Sequence, residues 1–400
     1  MRPAVGIESG HLKDESHSMI QLIFKVAHSA ARDKILNFFT HSCCGLYLRS
    51  ENQTFIQANE PPIIAQFPKN MKDPEMAAQW LYFEKTPEFH ERLGVCAYND
   101  DLVGISLSHA TSDGGYLKYI VDHCLDDKVP EKPPIFPISQ KDAFSKILQN
   151  LPKQKIHNNE TLTKFKWPKY EPVKDNRVAK YIVSEFDTSE LKCFSNGKTK
   201  GLTESYLVSM ILAHSKMNGH FERAGSLICV DLRRYLGPID NLAMTTMYTG
   251  CNVSAPSVKG STTIGETKRL LREDLNYLIN SKACLESLRN FDWGGKDPRT
   301  AAPIYSSSGV YNLKYPILDM TLQQRMNSKP FYNIVCAFNY SKISENMNKN
   351  NLRIEYSTKV ANKPVMQHIS DLILYSMKNF DDSMTMDVGV SELMKMKVIH

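Results

Sequence analysis

A proline-rich stretch divides this chain more firmly than any other feature. Between Asp126 and Asp175 lie Pro130, Pro133, Pro134, Pro137, Pro152, Pro168 and Pro172. Each fixes its own φ, removes a backbone donor and biases the residue before it away from helix. Apart from a short helical pattern from Asp142 to Leu151, the segment reads as a linker or crossover. On either side, strand and helix patterns alternate, which is the signature of an α/β architecture. The expected division is an N-terminal lobe over residues 1–150, a Pro/Lys-rich crossover over 151–176 and a C-terminal lobe over 177–400. With 42% hydrophobic, 10% aromatic and 23% charged residues among 400, there is enough apolar material to pack both halves, and the composition is not that of a disordered chain.

In the first half, MIQLIFKV (Met19 to Val26) is apolar and β-branched enough for a strand, and His28 to Cys44 carries Ile35, Leu36, Phe38 and Phe39 at helical spacing. Short strands are expected at Gly45 to Arg49 and Thr54 to Gln57, and a helix over Asp73 to Lys85 starts at an Asp-Pro pair. LGVCAY (Leu93 to Tyr98), the turn residues Asn99, Asp100 and Asp101, and LVGISLS (Leu102 to Ser108) predict a β-hairpin. A helix should follow at about Gly115 to Cys124. The second half restarts with a strand at Arg177 to Phe186 and a helix capped by Thr203 that carries Tyr206, Leu207, Met210, Ile211 and His214. Further strands are expected at Ser226 to Leu232 and near Ile304 to Tyr311, Tyr332 to Tyr340 and Leu352 to Ser357, with an extended segment near Met244 to Val253. Helices should run from about Ile264 to Arg289 and from Pro364 to Asn379.

The 49 basic and 43 acidic residues leave a net +6, too diffuse to name a nucleic-acid or membrane partner. The N-terminal MRPAVGIESGHLKDESHSM lacks the apolar region of a secretory signal, and no stretch of about 20 apolar residues could span a bilayer. The nine cysteines form no C-x-x-C pair and read as reduced thiols. A cytoplasmic protein without stable membrane insertion is the expectation.

The chemistry concentrates where the hairpin ends. SHATSDGG (Ser108 to Gly115) places His109 and Asp113 four residues apart directly after an apolar strand. An imidazole with a pKa near neutrality is suited to take a proton from a hydroxyl or amine that attacks a carbonyl. Gly114 and Gly115 would let the backbone turn tightly after the site. The carboxylate could orient the ring, or turn away and hold the loop through a cation; the spacing leaves both open.

In this context HATSDGG resembles the HxxxDG motif of the CoA-dependent acyltransferase superfamily, which includes chloramphenicol acetyltransferase, plant BAHD acyltransferases, yeast alcohol acetyltransferases and peptide-synthetase condensation domains. The likeness extends over the order of elements from about Met19 to Asn379. It implies two chloramphenicol-acetyltransferase-like α/β sandwich lobes with an active-site tunnel between them. LICVDLRRYL (Leu227 to Leu236) is similar to the family strand that ends in an arginine, which implies that Asp113 pairs with Arg233 and is structural, leaving His109 as the base. SSSGVYN (Ser306 to Asn312) sits where the family has a tunnel-lining strand, which makes Ser306, Ser307 and Ser308 candidates to donate to an oxyanion. Condensation domains usually carry two consecutive histidines, and here Ser108 takes the first place, which favours a free-standing acetyltransferase-like member. FDWGG (Phe291 to Gly295) is similar to the DFGWG motif of the BAHD branch but comes earlier in the chain, and it also suits a helix-terminating turn.

The resemblance implies direct transfer of an acyl group, acetyl foremost, from acyl-CoA to a hydroxyl or amine of a small or lipid-like acceptor, without an acyl-enzyme. Acyl-CoA is then a co-substrate, and no permanently bound cofactor or metal is expected. A carrier-protein-fed condensation reaction and a catalytically silent binding relative are the alternatives. Basic and aromatic residues interleave from Lys164 to Lys180 and suit an exposed linker better than a nucleic-acid site. The Met-rich C-terminal tail is expected to pack on the domain or fray.

Overall fold

The computed structural model describes residues 1–12, 18–128, 135–166, 179–237, 241–289, 300–325, 335–345, 347–357 and 361–396. The first half contains β1 (Met19–Val26), α1 (Ser29–Ser42), β2 (Ile64–Gln66), α2 (Pro74–Lys85), β3 (Gly94–Tyr98), β4 (Leu102–Ser108), α3 (Gly114–His123) and α4 (Gln140–Asn150). The second half contains β5 (Ala179–Asp187), α5 (Leu202–Asn218), β6 (Gly225–Asp231), β7 (Tyr248–Ser254), α6 (Ile264–Asn280), β8 (Pro303–Asn312), β9 (Ile317–Arg325), β10 (Val335–Ser344), β11 (Met347–Ser357), α7 (Lys363–Asn379) and α8 (Met386–Met394).

Local chemistry explains the elements that the sequence predicts. Asp73 accepts from the backbone N–H of Glu75 at 2.7 Å, and Pro74 starts α2 where a missing N–H costs nothing. The β3–β4 hairpin is closed by Asn99, whose side-chain oxygen accepts from the N–H groups of Asp101 and Leu102 at 3.1 and 2.9 Å. The first sheet has the order β9-β1-β4-β3-β2. Along β1 and β4, Ile20, Leu22, Phe24, Val103 and Ile105 pack with Ile35 and Phe39 of α1 and Leu117 and Ile120 of α3. The alternate residues Ile23 and Leu102 pack with Ala77, Ala78 and Leu81 of α2, so helices cover both faces.

The second sheet has the order β7-β6-β8-β10-β11-β5, with β8 parallel to both β6 and β10. Its core joins Ile228, Tyr305 and Ile354 to Tyr206 and Met210 of α5, Leu271 of α6, Leu372 of α7 and Val390 of α8. Phe144 of α4 joins this same core. The two sheets with their helices form the two lobes of a mixed α/β fold.

Strand β9 departs from the order along the chain. It lies between β8 and β10 in sequence, yet it pairs antiparallel with β1 in the first sheet, from Ile317↔Val26 to Arg325↔Met19. Met320 and Leu322 enter the first-lobe core. Its polar alternates have a partner too: Gln323 donates to Glu75 of α2, and Glu75 pairs with the fully buried Arg353 of β11. One ion pair therefore ties a helix of the first lobe to a strand of the second.

Several local expectations are corrected. Helix α5 begins at Leu202, and Gly201, at φ +66°, occupies the cap position without a side-chain bond, so Thr203 lies inside the helix rather than capping it. Helix α6 stops at Asn280, because the Ser281 hydroxyl donates to the Tyr277 carbonyl at 2.7 Å and Lys282 turns left-handed at φ +61°; a separate 3-10 turn, Ala283–Leu288, follows. Cys44–Tyr47 is a 3-10 turn that precedes a strand at Leu48–Glu51. The C-terminal tail packs on the domain as expected, through helix α8 with Met386, Val390 and Leu393 buried in the second-lobe core. FDWGG and most of the Lys164 to Lys180 stretch lie outside the described residues. Among the described residues no helix is long and apolar enough to cross a membrane.

Candidate active site

Strand β4 delivers His109 to the junction of the two lobes. The His109 backbone N–H donates to the Ser18 carbonyl at 2.7 Å, and the Thr111 N–H donates to the Ser108 carbonyl at 2.8 Å, so the chain turns tightly straight after the strand. From the second lobe, Thr246 donates to the Ala110 carbonyl at 3.1 Å. The loop is thereby pinned from both sides.

The His109 side chain is buried, at 2% exposure. Its Nδ1 lies 2.8 Å from the Ser112 carbonyl oxygen. A carbonyl only accepts, so Nδ1 carries the proton and Nε2 presents its lone pair. Nε2 has no hydrogen-bond partner among the described residues. Burial lowers the imidazole below its ordinary pKa of 6.5, with the Asp113 charge and the Ser112 carbonyl pulling in the opposite direction. The ring is thus held neutral, with one basic nitrogen unused.

Asp113 turns away from that ring. Oδ1 accepts from the Tyr116 N–H at 2.8 Å, which caps α3, and from Arg233 Nη2 at 2.7 Å; Oδ2 accepts from the Met247 N–H at 2.7 Å. Of the two roles that the spacing leaves open, the carboxylate takes the one of holding the loop. Arg233, in the turn after β6, also donates to Asp231 Oδ1 at 3.0 Å and to the Met244 carbonyl at 2.5 Å. The guanidinium therefore joins the first lobe's motif loop to two segments of the second lobe.

The glycines act differently from the expectation. Neither has a positive φ; both lie in the first turn of α3 with ordinary helical geometry. What they provide is room. A Cβ on Gly115 would collide with Arg233 Nη1 and stand 2.7 Å from Asp231 Oδ2, whereas one on Gly114 would stand 3.1 Å from Ser308 Oγ. Ser308 therefore lies over the start of α3. Strand alternation puts Ser306 and Ser308 on the face of β8 opposite Tyr305, which stacks on Tyr206 at 5.2 Å in the second-lobe core. The Ser307 hydroxyl accepts from the Gly309 N–H at 3.3 Å where the strand bulges.

Two further residues frame the imidazole, and nothing in the sequence marks them as part of a site. His11, from the short helix Ile7–Leu12, lies flat on His109, with ring centroids 4.2 Å apart and an interplanar angle of 11°. His11 Nε2 is 2.9 Å from the Tyr248 hydroxyl and Nδ1 is 3.2 Å from Ser18 Oγ. Tyr248, the first residue of β7, is itself 5.2 Å from the His109 ring. The only local cue is the four-residue spacing of Ile7 and His11 on one helical face, which marks burial but no function. Among the described residues, no group of three or more His, Cys, Asp and Glu could hold a metal ion.

Neither a protein-family model nor a curated protein matches the sequence. Solved structures do match it over nearly their whole lengths. The starter condensation domain of rhizomide synthetase RzmA, in mutant form and in complex with C8-CoA and Leu-SNAC, aligns with a TM-score of 0.63 at 10% identity, covering 96% of this chain and 96% of that one. The first condensation domain of the CDA synthetase aligns at 0.62 with 10% identity, covering 97% of each chain. Polyketide synthase associated protein 5 from Mycobacterium tuberculosis aligns at 0.60 with 13% identity, covering 95% of this chain and 100% of that one. The chain thus has the two-lobed α/β fold of the condensation domains, the fold that the resemblance of HATSDGG implies.

Proposed function

We propose that this protein is an acyltransferase that moves an acyl group, acetyl foremost, from acyl-CoA to a hydroxyl or amine of a small or lipid-like acceptor. The observation that carries this reading is the His109 imidazole: buried, neutral, fixed through Nδ1–H on the Ser112 carbonyl, with Nε2 unpartnered among the described residues. As the acceptor oxygen or nitrogen attacks the thioester carbonyl, Nε2 takes its proton. The tetrahedral intermediate expels the thiolate, the C–S bond breaks, and His109 returns the proton to sulfur. No acyl-enzyme forms. Asp113 and Arg233 hold the base's loop without touching the ring. Ser308, over the start of α3, is the best placed of the three serines to donate to the oxyanion, with Ser306 and Ser307 as the weaker candidates. The C8-CoA complex of the rhizomide condensation domain supports a CoA thioester as donor.

The likeness to condensation domains favours a second reading, in which the acyl group arrives on a carrier protein. Thiol release from acetyl-CoA across a panel of alcohols, sphingoid bases and aryl amines separates the two. Acceptor-dependent release that disappears in His109→Ala supports the first. Release only from carrier-bound acyl groups supports the second, and full turnover by folded His109→Ala overturns the role of the base in both.

A further inference from the structure

The stack of His11 on His109 places a second buried imidazole, 3% exposed, against the candidate base. Two histidines in van der Waals contact are costly in a core if either becomes charged without a counter-ion, so the hydrogen bonds around His11 decide what the pair can do. Ser18 Oγ donates to the Arg325 carbonyl at 3.3 Å, which leaves its lone pairs to accept from His11 Nδ1–H. His11 Nε2 then accepts from the Tyr248 hydroxyl. Both nitrogens of His11 are thus engaged with the ring neutral, and neither points to substrate. Burial, reinforced by the neighbouring His109, holds His11 well below its ordinary pKa.

The two imidazoles are oriented by different parts of the molecule. His109 hangs from β4 and the loop that follows it. His11 belongs to the N-terminal segment, whose short helix is itself anchored by Glu8 pairing with Arg2 at 2.7 Å. Tyr248 joins these elements to the second lobe, because the residue before it, Met247, donates its N–H to Asp113. Among the described residues the groups facing the His109 ring are therefore His11 from the N-terminal helix and Tyr248 from β7, while Asp113, turned away and paired with Arg233 of the β6 turn, acts on it through its charge. A single hydrogen bond to Ser112 leaves an imidazole free to swing about its Cβ–Cγ bond. A flat ring stacked on it does not.

We propose that His11 is a positioning residue for His109: a neutral imidazole, locked by Tyr248 and Ser18, that clamps the ring of the base so that Nδ1–H stays on the Ser112 carbonyl and Nε2 keeps its lone pair free. Its catalytic meaning rests on the acyltransferase reading above, but the clamp itself is tested without turnover. The full chain is labelled with 15N in its histidine rings, and the His109 signals are assigned by their loss in His109→Gln. In the wild type, His109 should show one tautomer, protonated at Nδ1 and bare at Nε2. In His11→Ala its two nitrogen shifts should move toward each other as the second tautomer becomes populated, whereas His11→Phe, which restores a flat ring, should keep the wild-type pattern. Unchanged His109 signals in folded His11→Ala overturn the proposal. If that variant does not fold, Tyr248→Phe removes only the hydroxyl that locks His11, and unchanged His109 signals there overturn it equally.

In the active enzyme, His11→Ala should lower kcat about tenfold with KM for the acyl donor within about twofold, the pattern of a misaimed base rather than lost substrate binding. A wild-type chain that turns over no donor, yet shows the tautomer change in His11→Ala, refutes the acyltransferase reading and leaves the clamp standing. A wild type that turns over, with both kcat and tautomer unmoved in His11→Ala, refutes the clamp alone.

Discussion

Asp113 and Arg233 stand 120 positions apart in the chain and meet at 2.7 Å, with the carboxylate almost wholly buried. The pair spans the two lobes and leaves His109 untouched. Removing Asp113 leaves the guanidinium with the half-exposed Asp231 as its carboxylate partner and orphans the Tyr116 and Met247 N–H groups, a loss on the order of 3 kcal/mol. Asp113→Ala should therefore lower the urea midpoint as well as the activity. Adding Arg233→Ala to it should cost far less than the sum of the single changes, and additive losses would refute the pairing.

His109→Ala separates chemistry from stability. A general base of this kind contributes roughly 10²–10⁴ in rate, so thiol release should fall by that order while the far-UV circular dichroism stays native. Turnover within about threefold of wild type would refute His109 as the base.

Gly115 and Gly114 should differ sharply. A methyl group on Gly115 meets Arg233 and Asp231 head-on, and displacing that ion pair should cost about 1–3 kcal/mol in Gly115→Ala. At Gly114 the nearest atom is the Ser308 hydroxyl at 3.1 Å, which can rotate aside, so Gly114→Ala should lose less than about 1 kcal/mol. Chemical denaturation of the two variants side by side checks the order, and an inverted order would contradict the site geometry.

Buried neutral histidines make stability depend on pH. His11, His109 and His214 all lie below 6.5 in the folded chain because burial disfavours the charged ring, His214 at about 4. The unfolded chain binds protons that the native one refuses, so stability is complete above pH 6.5 and falls as the pH drops from there toward 4. His214 by itself accounts for on the order of 3 kcal/mol across that window. Melting temperatures between pH 7.5 and 4.5 should decline in the wild type and decline less in His214→Phe. A flat wild-type profile would contradict the assignment.

Local pattern carried much of the fold. The Asp73-Pro74 start of α2, the Asn99 turn and the apolar run into His109 were legible because a cap, a turn and a buried strand each need particular residues at fixed spacing, whatever the rest of the chain does. The fold resemblance was legible for a similar reason, since HATSDGG and the arginine after LICVD are short, contiguous signals.

Tertiary packing decided the rest. Strand β9, ILDMTLQQR, alternates too weakly to read as a strand, because its polar positions are matched by Glu75 of α2 and Lys342 of β10 rather than by solvent alone. Whether Asp113 faces the histidine or the arginine depended on where Arg233 and the Met247 N–H come to lie. For His11 the local signal marked burial and no function, since its place beside the base rests on rings contributed by the loop after β4 and by β7. The sequence by itself determined most of the segments that become strands and helices and which loop carries the imidazole, through backbone sterics and hydrophobic period that act over a few residues. Only the tertiary structure decided which side chains meet across the lobes, because those contacts depend on long-range packing that no spacing along the chain encodes.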